Sequence, residues 1–407
     1  MLLALLAMAA CFLAAVHATH PVVPARRRSS VAGCWCLGVA AAALVALYSY
    51  PGAILLVPLL LLALAQPYWP RVRHLPRNWL LAAAAVAVLG ALPLGAQFLD
   101  GRARTRLGQV SLLGNESVVA LAQQRTARDR RDGLTVILES PAAIALRQGL
   151  ANYLSHFGVT YLFTQGDAEW RHHSSDVAQL YLWDAPLLIA GIGALARHWR
   201  RSSARAIAGW LVIGPLPAAL AENAPHAVRS IAMLPALYLL AATSVVPLWR
   251  WLRRYHLHLD WLLLLAASVA FYLYAYYRYY PYEHGRVWSS GVLEGFDAAQ
   301  DAVTSGTYRR VVVAEQTGLS YIHLLFATRY DPQTYLAAGG TNPDAPALVF
   351  PPYEVRPVRW DSEPRAPDVL YALGGGTSLP AGARLVRAVQ DLSGRDAVLL
   401  VDFPRAG

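Results

Sequence analysis

The sequence predicts an α-helical polytopic membrane protein of about eight transmembrane helices, with a large extracytoplasmic loop and a C-terminal extracytoplasmic α/β domain. Three observations lead there. The 407 residues are 56% hydrophobic and only 15% charged, whereas an average soluble domain carries about a quarter charged residues. The apolar residues gather in stretches, most of them near the roughly 20 residues that cross a bilayer core. From Glu283 onward the pattern changes to apolar alternation and short β-branched runs between Pro and Gly clusters, which marks a soluble fold. Disorder is excluded by 21 Tyr and 12 Trp, because unfolded chains are poor in apolar and aromatic residues.

The predicted spans are Met1–Ala18, Val31–Tyr48, Pro51–Ala65, Trp79–Ala96, Leu180–Ala196, Ala204–Ala221, Ser230–Leu248 and Leu259–Tyr277. Met1–Ala18 lacks the basic n-region of a signal peptide and is followed closely by another apolar stretch, so it counts as a span. The third segment is short and contains Pro58, and arginine placement decides its nature. All 35 cationic residues are Arg. Arg26 to Arg28, then Arg71, Arg73 and Arg77, then Arg197 to Arg205, then Arg250, Arg253 and Arg254 fall in four short loops, while the turns Ser49–Gly52 and Glu222–Val228 have none. The positive-inside rule makes the four basic loops cytoplasmic, which requires two crossings between Arg28 and Arg71. The third segment is then a true span.

The same reasoning places Met1, the long stretch Gln97–Gln179 and everything after Tyr280 outside, because long loops translocate largely regardless of their charge. The predicted organisation is 1–96 with spans one to four, 97–179 as the extracytoplasmic loop with amphipathic helices, 180–280 with spans five to eight, and 281–407 as the α/β domain. FYLYAYYRYYPY, Phe271–Tyr282, fits an aromatic belt that anchors the last span. In the C-terminal domain Val292, Phe296, Ala299 and Val303 make one helix face. A second helix is predicted at Leu319–Thr328, and strands at Arg310–Ala314, Ala347–Phe350, Val369–Leu373, Arg384–Val389 and Ala397–Phe403. Cys11, Cys34 and Cys36 lie in apolar stretches, so no disulfide framework or zinc site can be assembled from them.

No residue in the middle of a span is charged, which argues against an ion-coupled transporter or proton pump. Ionisable groups gather instead at the outer helix ends and in the outer loops. Asp167, Arg171, His172, His173 and Asp176 crowd together before span five. A guanidinium with one or two imidazoles offers donors for a phosphate, and the carboxylates can orient them or hold a divalent cation. The sequence leaves that choice open and assigns no metal ligand. The alternative is a polar interfacial loop satisfied by water and headgroups. Glu222, His226 and Arg229 form a second cluster before span seven, where Arg229 can bind a lipid phosphate or simply snorkel to the interface. For Arg171 and Arg229 to share one phosphate, spans five and seven must be neighbours. Asn115-Glu116-Ser117 matches a glycosylation acceptor by chance, and Gly374 to Gly376 lacks the Lys-Ser/Thr of a P-loop.

Four segments carry a family resemblance: LYSYPGAILLVPLLLL (Leu47–Leu62), NYLSHF…LFTQGD…RH (Asn152–His172), APHAVRSIAMLPAL (Ala224–Leu237) and YRRVVVAEQTGLSYIHLLFATRYDPQTY (Tyr308–Tyr335). With the span order they cover most of the chain. In these the chain resembles the GT-C superfamily of polyprenyl-phosphate-sugar glycosyltransferases, specifically bacterial protein O-mannosyltransferases and the lipid A aminoarabinose transferase. The resemblance implies a multi-pass enzyme of the plasma membrane and cell envelope. Such an enzyme transfers a sugar from a polyprenyl-phosphate donor to a hydroxyl of a glycan, lipid or protein acceptor on the extracytoplasmic face. Nucleic acid is not an expected partner.

In that superfamily an acidic pair in the first outer loop acts as base on the acceptor hydroxyl. Here the first connection, Thr19–Ser30, is basic, so the resemblance implies that an N-terminal part carrying the catalytic carboxylate and an odd number of spans precedes Met1, and that this chain is not an active transferase alone. The site residues it leaves for the lipid phosphate and substrate are Asp167, Arg171, His172, Glu222, His226 and Arg229. The competing expectation is a non-catalytic membrane protein that binds or translocates polyprenyl-linked glycans.

Overall fold

Long runs of Leu, Ala and Val favour helices, in which every backbone group finds a partner without water. A computed structural model of the chain describes residues 1–19, 25–99, 116–128, 137–314, 320–341 and 345–404. Asn115 of the acceptor match, Leu319 at the start of the second predicted helix and parts of the loop Gln97–Gln179 lie outside the described residues. The helices of the first half are α1 (Leu2–Ala18), α2 (Ala25–Ser49), α3 (Ala53–Ala65), α4 (Arg77–Leu99), α5 (Glu116–Arg128) and α6 (Pro141–Ser155). They are followed by α7 (Asp184–Arg197), α8 (Ser202–Ile213), α9 (Leu234–Arg254) and α10 (His258–Tyr274).

Among the described residues, five stretches are long and apolar enough to cross a membrane: Ser29–Ser49, Ala53–Val72, Arg77–Gln97, Ala227–Arg254 and His258–Trp288. The other three predicted spans are shorter helices, with 17 residues in α1, 14 in α7 and 12 in α8. Gly214 and Pro215 end α8, and the chain then makes only the single helical turn Leu216–Ala219. The doubtful third segment gains length instead. α3 has 13 residues, but a 3-10 turn at Gln66–Tyr68 and a further turn at Trp69–Val72 extend it to a stretch of 20. Pro67 and Pro70 stand in the first positions of those turns, where a missing N–H costs least.

The chain divides into two compact units, Met1–Ala270 and Phe271–Gly407. In the first, α1 packs on α2, α2 on α4, α8 on α3 and α7 on α9, around buried Leu5, Met8, Leu56 and Leu60. The α7–α9 contact makes spans five and seven neighbours. Gly191 permits it, since a Cβ there would strike the Leu240 carbonyl oxygen, and small residues are what let apolar helices approach this closely. Hydrogen bonds also tie loops at the helix ends. Ser202 Oγ donates to the Pro67 carbonyl at 2.7 Å, so the second and third basic loops share the C-terminal end of α3. At its N-terminal end Gly52 abuts Pro217.

In the second unit Tyr276 stacks on Tyr272 and Tyr280, with ring centroids 5.9 and 6.1 Å away. Then come α11 (Val292–Thr304), β1 (Arg310–Ala314), α12 (Ser320–Ala327), α13 (Pro332–Ala337), β2 (Leu348–Phe350), β3 (Tyr353–Arg356), β4 (Val369–Gly374), β5 (Arg384–Gln390) and β6 (Asp396–Asp402). The six strands form one mixed sheet in the order β2-β3-β1-β4-β6-β5. β1 runs parallel to β3 and β4, and the other pairs are antiparallel. The pairing of β5 with β6 shifts register twice, between Leu385 and Arg387 and between Val389 and Gln390. α11 buries the predicted face, with Phe296 and Ala299 in a core that includes Val311, Leu370 and Leu400. All five predicted strands are present; β3 is an addition.

Two carboxylates fasten the sheet. Asp402 accepts both arms of Arg384, at 3.0 and 2.6 Å, and the Tyr308 hydroxyl at 2.8 Å. Glu363 accepts Arg356 at 2.6 and 2.8 Å and Tyr371 at 3.0 Å. The arginine hydrogen bonds hold both carboxyls below their usual range, against the opposing effect of burial. Free Asp and Glu titrate at about 3.9 and 4.3. Their stabilisation is therefore complete above that range and is lost as pH falls through the depressed folded values. Hydrogen–deuterium exchange of β4 and β6 peptides, corrected for its intrinsic pH dependence, should lose protection below about pH 4. Arg384→Met should flatten that loss; identical profiles would refute the assignment.

Candidate functional site

Two segments about sixty residues apart in sequence build the site. The first starts with α6, which Ser140 caps by accepting the Ala143 N–H at 3.3 Å and Pro141 opens, as such positions favour. Asn152 and His156 are four residues apart and so share a helix face. The Asn152 carboxamide donates to the carbonyls of Ala219 and Ala221 at 3.3 and 3.2 Å. His156 is fully buried. Its Nδ1–H donates to the Asn152 carbonyl at 2.7 Å, and its Nε2 accepts the His226 backbone N–H at 3.2 Å. A π turn at Thr160–Thr164 follows and sends the Tyr161 hydroxyl to Ser230 Oγ at 2.8 Å. Gly166 then turns the chain at φ +77° against the His173 ring, a conformation that favours glycine.

Asp167 comes next, its side chain only 1% exposed. A carboxylate so buried must be hydrogen-bonded, and this one has three donors. Its Oδ1 accepts the Glu169 N–H at 3.1 Å, and its Oδ2 accepts His172 Nδ1–H and the Ala227 N–H, both at 2.7 Å. His173 Nε2 lies 3.0 Å from the Asp167 carbonyl.

The second segment is the connection into α9. His226 caps the turn Ala227–Ser230, its Nδ1 accepting the Arg229 N–H at 3.4 Å. Its ring lies against that of His172 with centroids 4.5 Å apart. The Arg229 guanidinium donates to the Glu222 carbonyl at 2.8 Å and lies close enough to the Tyr50 hydroxyl to pull down its pKa, which burial raises. Burial first, then Arg229 and His172, push His226 down to about 4. Burial likewise lowers His156 and takes Tyr161 up to about 12. Both imidazoles are thus neutral in the folded protein at pH 7. A free histidine takes up its proton near 6.5, so acidification below that value favours the unfolded chain and loosens the site.

The structure therefore joins Asp167, His172 and His226, with Arg229 beside them. Arg171 instead pairs with Glu169 at 3.9 Å and is half exposed. Glu222 contributes its carbonyl, and Asp176 is exposed at φ +59°. Asn152, His156, Tyr161, Ser230 and Tyr50 enter unforeseen. The i, i+4 spacing of Gln148, Asn152 and His156, polar residues along one face of the helix and its C-cap, is the signal that could have found two of them. Among the described residues, one ligand atom each from Asp167, His172 and His226 lie within 4.8 Å of one another. Chemically, the cluster offers imidazole nitrogens fixed by a buried carboxylate and a guanidinium close by.

Comparison with protein-family models, curated proteins and solved structures finds no match to this chain. The site consequently stands on its own geometry.

His156 is the keystone of the backbone around His226. His156→Phe keeps the ring volume but leaves the His226 N–H without its partner, at about 1–3 kcal/mol, while the Asn152 carbonyl keeps the Ser155 hydroxyl. The thermal midpoint of the purified protein in detergent should fall, and His156→Gln should recover part of the loss. An unchanged midpoint for His156→Phe would show that the bond carries no weight.

Proposed function

We propose that this protein is a membrane glycosyltransferase that moves a sugar from a polyprenyl-phosphate carrier to an acceptor hydroxyl on the extracytoplasmic face of the plasma membrane. One observation carries the reading. Three of the four segments in which the chain resembles the GT-C transferases converge at one place: Tyr50 of the first meets Arg229 of the third, and Asp167 of the second accepts the Ala227 N–H of the third. Segments that meet this way in space, though far apart in sequence, are what a shared substrate site requires.

In this reading the reaction is a displacement at the anomeric carbon with the lipid phosphate leaving. Charge developing on that phosphate needs preorganised donors. Arg229 supplies a guanidinium suited to bidentate contact, and Asp167 fixes the orientation of the His172 ring. Asp167 is occupied by three hydrogen bonds and so orients rather than acts as base. That same occupancy favours a second reading, a protein that binds or translocates polyprenyl-linked glycans without chemistry. Turnover of a polyprenyl-phosphate sugar by the purified chain would decide for the transferase.

The phosphate contact has its own test. Arg229→Lys keeps the charge but loses the fork. Polyprenyl-phosphate affinity, measured in nanodiscs, should fall about tenfold or more, as expected for losing a charge-assisted hydrogen bond. Arg171→Lys should add its own loss if both guanidiniums serve one phosphate, with the double variant less than additive. Native affinity in Arg229→Lys would remove Arg229 from the site.

The proposed topology has eight spans, the four basic loops in the cytoplasm, and the site and C-terminal domain outside. Its support is that two basic loops share one end of α3, while at the other end the Arg-free turn at Gly52 meets Pro217, just before the second Arg-free turn. Single cysteines added in a Cys-free background and probed in intact cells should label after Gly306 and stay protected after Trp199. The opposite pattern would invert the model.

A further inference from the structure

We propose that Asp167, His172 and His226 form a binding site for a divalent transition metal of the zinc class, with a fourth coordination position left to a non-protein ligand. The three residues come from separate turns. Asp167 follows the bend at Gly166, His172 closes the 3-10 turn Trp170–His172, and His226 caps the turn into α9. Their ligand atoms lie within 4.8 Å of one another. Ligands about 2.0–2.2 Å from a tetrahedral ion sit roughly 3.3–3.6 Å apart, so small side-chain rotations close the site.

The donor set selects the ion. Two imidazoles and one carboxylate match the three-ligand zinc sites that keep a fourth position open, whereas magnesium and calcium take shells of oxygen. The surroundings are those that a metal site needs beyond its ligands. Backbone N–H groups of Glu169 and Ala227 hold the Asp167 carboxylate, and His156 fixes the backbone N–H of His226. The Asp167 and His172 side chains are also largely buried, 1% and 13% exposed. In the metal-free protein the proton between His172 Nδ1 and Asp167 Oδ2, 2.7 Å apart, stands where the ion would bind. A neutral imidazole that coordinates through Nδ1 carries its proton on Nε2 instead, so the ion takes the place of that proton between the two ligands by a change of tautomer. The Arg229 charge disfavours a bare cation nearby, an effect that an anionic fourth ligand offsets.

The proposal concerns metal binding and holds whether or not the chain transfers a sugar; the assay contains no donor or carrier. Full-length protein without a histidine tag, purified in detergent and stripped with a chelator, would be titrated with Co2+. One equivalent should bind with the visible bands of a tetrahedral Co2+ site, and Zn2+ should displace it. His172→Ala and His226→Ala should each weaken binding by more than the roughly 10–100-fold that losing an outer-shell partner costs. His226→Cys supplies another zinc ligand and should retain binding, which separates lost ligation from lost folding. His198→Ala, remote from the site, should bind as the parent does. Failure of the parent to bind Co2+ or Zn2+ would overturn the proposal, as would parent-like binding by the His172→Ala, His226→Ala double variant.

Discussion

The first unit's site depends on one buried carboxylate. Asp167 draws donors from Glu169, His172 and Ala227, and the last of these joins the segment before α7 to the segment before α9. Removing the charge from such a position leaves several groups without partners at once, which is why buried carboxylates behave as all-or-nothing elements of a fold. The neighbouring features serve it. Gly166 supplies the bend that aims Asp167, and His156 and Asn152 hold the opposing backbone. The packing of α7 against α9, allowed by Gly191, brings the two segments within reach.

Helix length explains much of what is irregular around the site. At 1.5 Å per residue, α7 with 14 residues is about 21 Å long, short of a hydrocarbon core of about 30 Å. The irregular backbone beside α7 and α8, including the π turn at Thr160–Thr164 and a 3-10 turn at Ile231–Met233, carries buried residues such as Tyr161, Leu180 and Met233. Irregular backbone at membrane depth is tolerated when it is buried in protein. Short helices thus leave room, at one end of the bundle, for turns that present polar side chains.

Much of the architecture was legible because its causes are local. The apolar runs gave the helices, and β-branched runs such as Arg310–Ala314 gave strands whose bounds hardly moved. β3 escaped because Tyr353–Arg356 is four residues long, carries Glu354 and Arg356, and follows two prolines; its pairing with β1 comes from tertiary context. The sixth predicted span lost length at Gly214 and Pro215, a break that hydropathy alone does not register. At the site, residue types at the outer helix ends pointed to Asp167, His172, His226 and Arg229. Their partners were not legible, since a hydrogen bond such as that from His226 N–H to His156 spans seventy residues. Arg171 lies within ion-pair distance of Glu169, two residues before it.

The borders of the C-terminal sheet have a consequence for molecules crowded side by side. A sheet ends in rows of unpaired N–H and C=O groups, a template on which another chain can add a strand. Here one border is β2, with three residues. The other is β5, which bears Arg384 and Arg387 and changes register twice against β6. An incoming strand would find too few rungs at β2 and a kinked ladder at β5. Neighbouring copies can therefore touch without zipping into a shared sheet, and the domain keeps its own boundaries at high local concentration.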